Sequence, residues 1–170
     1  MHQIKSLMDI NDHVFIELWS TLEALSVRYL MIGGFAVNIY GFNRSTAVID
    51  LWVENTIQNR ENLALALDKL KIAPKDVVMK IQFIPGWTQM SLRGGFPLDI
   101  ITELKGMEDY SFDECLSLAT WADIENIKVP FLHLNHLLTA KKAANRPKDR
   151  IDIEELEKLI DFQKKNSSSN

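Results

Sequence analysis

A short apolar run that ends in two glycines constrains the fold of this chain more than any other feature. Tyr29–Ile32 reads as a buried strand, and the glycines at positions 33 and 34 let the chain turn sharply into the next element. Residues 35–40 predict a short helix, and residues 46–53 predict a second strand because they are rich in β-branched and aromatic side chains. This order of elements indicates an α/β fold with a functional site between the two strands.

Apolar residues at helical spacing predict further helices on either side of this unit. They are Phe15, Leu18, Leu22 and Leu25 in a first helix and Leu63, Leu67 and Leu70 in a later one. Pro74 is expected to end the later helix because proline lacks a backbone donor. Ser111 and Glu114 have the spacing of a capping box, which predicts another helix reaching about Ala119.

Strand-like segments in the middle of the chain predict antiparallel pairing. The segments are residues 77–84, residues 87–92 and Pro97–Ile101, with turn-forming pairs at Pro85-Gly86 and Gly94-Gly95 between them. Ile127–Phe131 reads as a short last strand or an edge segment. We therefore expect a mixed β-sheet flanked by helices, an α/β (α+β) arrangement.

The end of the chain reads as two helices and a polar tail. The helices are Leu134–Ala144 and residues 147–162, and Asn145 between them suits a left-handed C-terminal cap. A chain of 170 residues with 46% hydrophobic content suits one compact core, so we expect a single domain over residues 1–163. Residues 164–170 are polar and serine-rich and are expected to form a flexible tail.

Composition indicates the cellular compartment of the chain and the classes of partner that it disfavours. The single cysteine, Cys115, excludes an intrachain disulfide, and the N-terminus lacks the pattern of a secretory signal, so a cytoplasmic location is expected. No apolar run approaches the roughly 18 residues of a membrane-spanning helix, so no membrane association is expected. The net charge of -4 argues against wholesale electrostatic binding to nucleic acid.

Two aspartates each stand alone inside an apolar strand segment. Asp50 lies within the second strand, and Asp99 lies within Pro97–Ile101. An ionised carboxylate in such a segment is costly to bury unless a metal ion, a hydrogen-bond donor or solvent receives it. Side chains two residues apart on a strand share a face, so positions 48 and 50 lie together beside the glycine turn. The aspartates indicate a Mg²⁺ site, with water-facing carboxylates as the alternative.

Basic and hydroxyl side chains supply candidate phosphate ligands. Arg44 and Thr46 follow the glycine turn, where a guanidinium and a hydroxyl suit phosphate oxygens. The basic residues near the C-terminus are Lys141, Lys142, Arg146, Lys148 and Arg150. Of these, Lys141 and Arg146 are the preferred candidates. Turn stabilisation is the alternative for the first pair, and a solvated helix end is the alternative for the basic segment.

Five stretches, in order along the chain, resemble the nucleotidyltransferase superfamily. They are YLMIGGFAV at 29–37, YGFNRST at 40–46, IDLWV at 49–53, LDIIT at 98–102 and KKAANRPKD at 141–149. The chain is similar in particular to small bacterial proteins related to abortive-infection and toxin–antitoxin nucleotidyltransferases. The resemblance covers most of the chain and implies a nucleotidyltransferase fold, with C-terminal helices beside the sheet.

The resemblance also implies a reaction and a set of site residues. The site is expected to bind a nucleoside triphosphate with Mg²⁺ or Mn²⁺ and to transfer a nucleotidyl group to an acceptor hydroxyl. Asp50 and Asp99 are the implied catalytic and metal-binding residues. The implied nucleotide-binding residues are Gly33, Gly34, Arg44, Thr46, Lys141 and Arg146. The acceptor (RNA, protein or small molecule) and any cognate protein partner stay open.

Val48 departs from the family pattern. The family's second strand carries two acidic residues separated by one apolar residue, and Val48 stands at the first of these positions. Since valine binds no metal, at most one Mg²⁺ is expected on Asp50 and Asp99, and transfer is expected to be slow or absent. Glu54 shares the strand face of Asp50, but its place at the end of the strand argues against its replacing the missing carboxylate.

Two other functions fit parts of the same pattern. One is a catalytically silent module that binds a nucleotide or a protein partner in a toxin–antitoxin or phage-defence system. The other is a nucleic-acid binder that works through the basic segment, which the net acidity of the chain disfavours.

Overall fold

The structure is a computed structural model that describes residues 12–81 and 86–168. Strands of these residues form one six-stranded sheet in the order β3-β4-β2-β1-β6-β5. The strands are β1 (Tyr29–Ile32), β2 (Ile49–Val53), β3 (Trp87–Ser91), β4 (Pro97–Ile101), β5 (Thr120–Ile124) and β6 (Ile127–Phe131). β2 pairs in parallel with β4 and β1 with β6, whereas the other neighbours are antiparallel. The predictions of a mixed sheet and of antiparallel pairing between β3 and β4 are confirmed.

Helices flank the sheet and supply much of its core. They are α1 (His13–Ala24), α2 (Gly33–Ile39), α3 (Ile57–Lys69), α4 (Lys75–Lys80), α5 (Phe112–Ser117), α6 (Leu134–Ala144) and α7 (Asp149–Ser167). The predicted stripes of α1 and α3 face inward, and Phe15, Leu18 and Leu67 are fully buried. Burial of such side chains stabilises the fold by about 1.5–3 kcal/mol each.

One predicted strand is wrong. The described part of residues 77–84 begins inside helix α4, and residues 82–84, together with Pro85, lie outside the described residues. Pro74 is the N-cap of this helix, and Lys80 forms an i,i+4 ion pair with Asp76 at 4.0 Å. Val78 is fully buried while Val77 is 45% exposed, so this short helix buries one of the two valines without a strand partner.

The boundaries of β2 and α7 also differ from the expectations. β2 begins at Ile49, so residues 46–48 belong to the preceding loop. α7 continues to Ser167 rather than ending near residue 162, and it therefore enters the predicted tail. The hydroxyls of Ser167 and Ser168 bond carbonyl oxygens one turn back, and lysines occupy the last turn, where they favour the helix dipole. β5 was not predicted and pairs with β6 as an edge strand.

Asn145 caps α6 in the left-handed conformation, as predicted, and turns the chain toward α7. Within the described ranges, no helix combines the length and the apolar character needed to cross a membrane.

Candidate functional site

Asp50 and Asp99 lie side by side on neighbouring strands. β2 and β4 run parallel, and their register places the two aspartates directly opposite each other. Leu98 and Ile100 alternate with Asp99 and are fully buried, so the aspartates belong to the other face of the sheet. Asp99 accepts a hydrogen bond at 2.7 Å from the side-chain amide of Gln89. The predicted convergence of two carboxylates is therefore present in the structure.

Burial and a neighbouring negative charge make Asp50 a weaker acid than an ordinary aspartate side chain. Burial raises the pKa of Asp50 to about 6 from its ordinary 3.8, and the negative charge of Asp99 adds to this increase. The positive charges of Lys148, Arg146 and Lys141 oppose it. Asp50 thus favours a cation beside it, because a bound cation would relieve the cost of keeping this carboxylate ionised.

The glycine turn is shaped by the side chains that pack over it. Gly33 has φ +69°, and a Cβ at this position would lie 2.1 Å from Oδ2 of Asp50. A Cβ on Gly34 would lie 2.8 Å from both Cβ and Oγ1 of Thr46. Both positions therefore require glycine, and the chain passes from β1 into α2 in direct contact with the carboxylate.

The loop before β2 is held in place by α2. The side-chain amide of Asn38 accepts a hydrogen bond from the Arg44 backbone N–H and donates one to the Arg44 carbonyl oxygen, both at 2.8 Å. Further along, the Thr46 hydroxyl donates to the Val48 carbonyl oxygen at 3.3 Å. Arg44, Thr46 and Val48 all line the cavity beside the carboxylates.

A buried ion network holds the basic side chains of this cavity. Lys141 is only 4% exposed, and its Nζ lies 3.2 Å from Oδ1 of Asp149 and 2.8 Å from Oδ2 of Asp152. Arg44 reaches the same Asp152 through Nη1. The alternative of a solvated helix end therefore does not hold for Lys141, because its charge is paired with Asp149 and Asp152 inside the protein.

Arg146 completes this network from the turn between α6 and α7. Its guanidinium bonds both carboxylate oxygens of Asp149, with Nε at 2.8 Å from Oδ2 and Nη2 at 3.2 Å from Oδ1. This hydrogen bonding raises the pKa of Arg146. Burial alone would raise the pKa of Asp149, but the hydrogen bond from Arg146 and the charges of Lys141 and Arg146 outweigh burial and lower it.

One cavity of about 420 Å³ collects these groups. Every site residue predicted from the sequence lines it, namely Gly33, Gly34, Arg44, Thr46, Asp50, Asp99, Lys141 and Arg146. Lys148 also contributes to the wall, whereas Lys142 pairs with Glu157 on α7. Residues from β1, β2, β4 and the two C-terminal helices thus meet at a single place, although Ile32 and Asp149 are 117 positions apart in the chain.

Several residues of this site were not found by sequence reasoning. Asp149 and Asp152 bind the basic side chains of the cavity, and Trp87 lines its wall. The signal for the aspartates was their near-continuous run with basic residues, which is also typical of any exposed helix start. Asn38 carried no signal, because its role depends on the loop that it binds.

A third carboxylate does not join the pair in the part of the chain that the structure describes. Among those residues, no three His, Cys, Asp or Glu side chains lie close enough together to hold a metal ion. Glu54 pairs through Oε2 with Nε of Arg28 at 2.9 Å and lines a neighbouring cavity of about 650 Å³ instead. Val48 occupies the wall of the first cavity, two residues before Asp50.

Solved structures share this architecture. The lincosamide antibiotic adenylyltransferase LnuA, in its lincomycin-bound crystal structure, is 16% identical with a TM-score of 0.60, covering 87% of this chain and 97% of that chain. A protein of Thermotoga maritima described as a nucleotidyltransferase is 12% identical with a TM-score of 0.60, covering 96% of this chain and 99% of that one. An antigenic nucleotidyltransferase-like protein from Paracoccidioides brasiliensis is 17% identical with a TM-score of 0.52, covering 85% and 72%.

The sequence matches no protein-family model, and comparison with curated proteins likewise finds no match. At these low identities the structural likeness concerns the fold. The chain has the nucleotidyltransferase fold.

Proposed function

We propose that the cavity binds a nucleoside triphosphate together with one Mg²⁺ or Mn²⁺ ion, and that the chain transfers a nucleotidyl group to an acceptor hydroxyl slowly or not at all. The observation that carries this proposal is the in-register pair of Asp50 and Asp99, which faces Lys141 and Arg146 across one cavity. A volume of about 420 Å³ lies within the range of small-molecule sites, roughly 300–1,000 Å³.

The carboxylate pair fits one hard divalent cation. Mg²⁺ commonly takes one or two carboxylates and completes its shell with water and substrate phosphates, which matches Asp50 and Asp99. A bound ion would neutralise phosphate charge and polarise the phosphoryl group. The residues fit a two-ion site poorly, because no third carboxylate of the described residues lies close enough to Asp50 and Asp99 to complete a metal-binding group, and Val48 lies two residues before Asp50.

The basic side of the cavity suits the triphosphate. Arg44, Lys141 and Arg146 are fixed by Asp149 and Asp152, so their donors are positioned before a ligand arrives. Such preorganisation reduces the entropy lost when phosphate binds. The glycine turn lets the backbone at Gly33 and Gly34 pass close to Asp50 and Thr46, and both glycines line the cavity beside the carboxylates.

A silent binding module is the second candidate, and Val48 favours it. Val48 stands where the resembled family carries a carboxylate, and loss of that carboxylate impairs two-ion chemistry. Nucleotide binding through one ion and the basic side chains would survive this loss. In this case the nucleotide would serve recognition of a partner, such as the cognate protein of a toxin–antitoxin or phage-defence pair. Tight nucleotide binding without turnover, tested with RNA, protein and small-molecule acceptors, favours the module over the slow enzyme.

Isothermal titration calorimetry with ATP, GTP, CTP and UTP tests the binding proposal. We expect at least one nucleotide to bind about tenfold or more tightly with Mg²⁺ than without it, since the ion links phosphate to the carboxylates. Asp50→Asn and Asp99→Asn should each remove most of the Mg²⁺ effect. Glu54→Gln is the matched control at the end of the same strand and should retain it. Absence of nucleotide binding, or binding that ignores Mg²⁺ in the unaltered chain, would overturn the proposal.

Cation binding is also expected to depend on pH. Asp50 must be ionised to bind an ion, and its pKa is raised to about 6, so affinity should increase as the pH rises through that value. Below it, affinity should fall about tenfold per pH unit. Electron paramagnetic resonance measures the Mn²⁺ affinity at each pH. Nucleotide is left out, so the titration of its phosphates does not interfere. Asp99→Asn should lower the pKa of Asp50, as carbon-13 NMR of the carboxyl group can show. A pH-independent Mn²⁺ affinity would contradict this expectation.

A further inference from the structure

Trp87 is a large aromatic side chain left open at the cavity. It lies on the edge strand β3, is 48% exposed and lines the same cavity as Asp50 and Asp99. A half-exposed indole contributes little to the core, but it offers a flat apolar face to a ligand. The indole face is therefore suited to a flat, apolar part of a ligand.

Strand register places Trp87 on the face that carries the carboxylates. Gln89 pairs with Asp99 and Trp87 pairs with Ile101, so each pair forms one row across β3 and β4. Residues two apart on a strand point the same way, and the rows are separated by about 7 Å along the strand. The Trp87–Ile101 row is therefore apolar and lies next to the row that contains Asp99. Both Trp87 and Ile101 line the cavity.

The cavity therefore has two chemically different ends. Lys141, Arg146 and Lys148 line the cavity from the end of α6 and the turn that follows it, and α6 begins just after β6, the neighbour of β1 in the sheet. These three side chains form the cationic end of the cavity. Trp87 lies across β2 and β4 from that end, at the opposite edge of the site. A ligand that fills the cavity would place its anionic part at the cationic end and a flat apolar part against Trp87.

We propose that Trp87 stacks against the base of the bound nucleotide; this inference rests on the proposed function and deepens it. A nucleoside triphosphate has the required polarity, because its phosphates are anionic and its base is planar and apolar on both faces. With the phosphates at the cationic end and the ion at Asp50 and Asp99, the base extends toward Trp87. Stacking accepts any base because every base has a π-face, so Trp87 supplies affinity with modest selectivity.

The test separates the base from the phosphates. The affinities of ATP and of inorganic tripolyphosphate, each with Mg²⁺, are measured by calorimetry for the unaltered chain, Trp87→Ala and Trp87→Phe. We expect Trp87→Ala to weaken ATP about tenfold, the scale of one base–aromatic stack, and to leave tripolyphosphate unchanged. Trp87→Phe should restore most of the ATP affinity. Trp121→Ala is the matched control, because Trp121 is 52% exposed on the far edge strand β5, and it should change neither ligand.

A second measurement uses the fluorescence of the indole itself. ATP should quench the tryptophan emission of the unaltered chain more than that of Trp87→Phe, whereas tripolyphosphate should quench neither. The inference is overturned if Trp87→Ala weakens both ligands equally or weakens neither, which would make Trp87 structural or a contact for the acceptor. If the unaltered chain still binds tripolyphosphate when either outcome is found, the proposed function is not contradicted. If the unaltered chain binds neither ligand, the proposed function and this inference both fail.

Discussion

A variant with aspartate in place of Val48 is expected to transfer a nucleotidyl group about 100-fold or more faster than the unaltered chain, the scale of one electrostatic group at a transition state. Val48 lines the cavity two residues before Asp50, and its carbonyl is held by the Thr46 hydroxyl at 3.3 Å. An aspartate there would add a third carboxylate to Asp50 and Asp99, and phosphoryl transfer with two ions about 4 Å apart depends on such a set.

Incorporation of labelled nucleotide measures this change, with RNA, protein and small-molecule hydroxyls offered as acceptors. Val48→Asn is the matched control, because it brings polarity and similar size without the charge, and it should stay near the unaltered rate. Combining Val48→Asp with Asp50→Asn should return the rate to background. The interpretation of Val48 is wrong if the unaltered chain incorporates nucleotide at least as fast as Val48→Asp.

The second large effect concerns stability and the buried ion network. Asp149→Asn is expected to lower the free energy of unfolding by about 3 kcal/mol or more, the usual cost of removing one partner of a buried ion pair. Asp149 is fully buried, and its carboxylate accepts hydrogen bonds from Nζ of Lys141 and from Nε and Nη2 of Arg146. Asparagine keeps the shape but not the charge, so Lys141 would keep only Asp152 as an anionic partner in this network.

Urea unfolding of the two chains measures the difference. Asp161→Asn is the control on the same helix, because Asp161 is exposed, and it should change stability by no more than about 0.5 kcal/mol. The contribution of Asp149 is present above its ordinary pKa of 3.8 and is lost as the pH falls through its lowered folded-state pKa. The gap between Asp149→Asn and the unaltered chain should therefore narrow in acid. Equal losses in the two variants would contradict a supporting role for the network.

Local patterns were sufficient for the strands and the carboxylates of the site. The glycine turn after β1 and the isolated aspartates of β2 and β4 were predictable because turn chemistry and strand alternation depend on neighbouring residues. The β-branched pair Val77-Val78 misled for the same reason. Such a pair suits a strand or a short helix, and the N-cap at Pro74 with burial of Val78 decided for helix.

The sequence by itself determined which side chains bring chemistry to the site, since Asp50, Asp99 and the glycine pair are recognisable from their immediate neighbours. Only the tertiary structure decided how they are supported and oriented. Arg44 and Asp152 are 108 residues apart in the chain, and their ion pair exists because α7 packs beside the loop before β2. Trp87 joins the face of Asp99 through the register of β3 on β4. Ion pairing and register between distant segments follow from packing, which no local pattern of residues encodes.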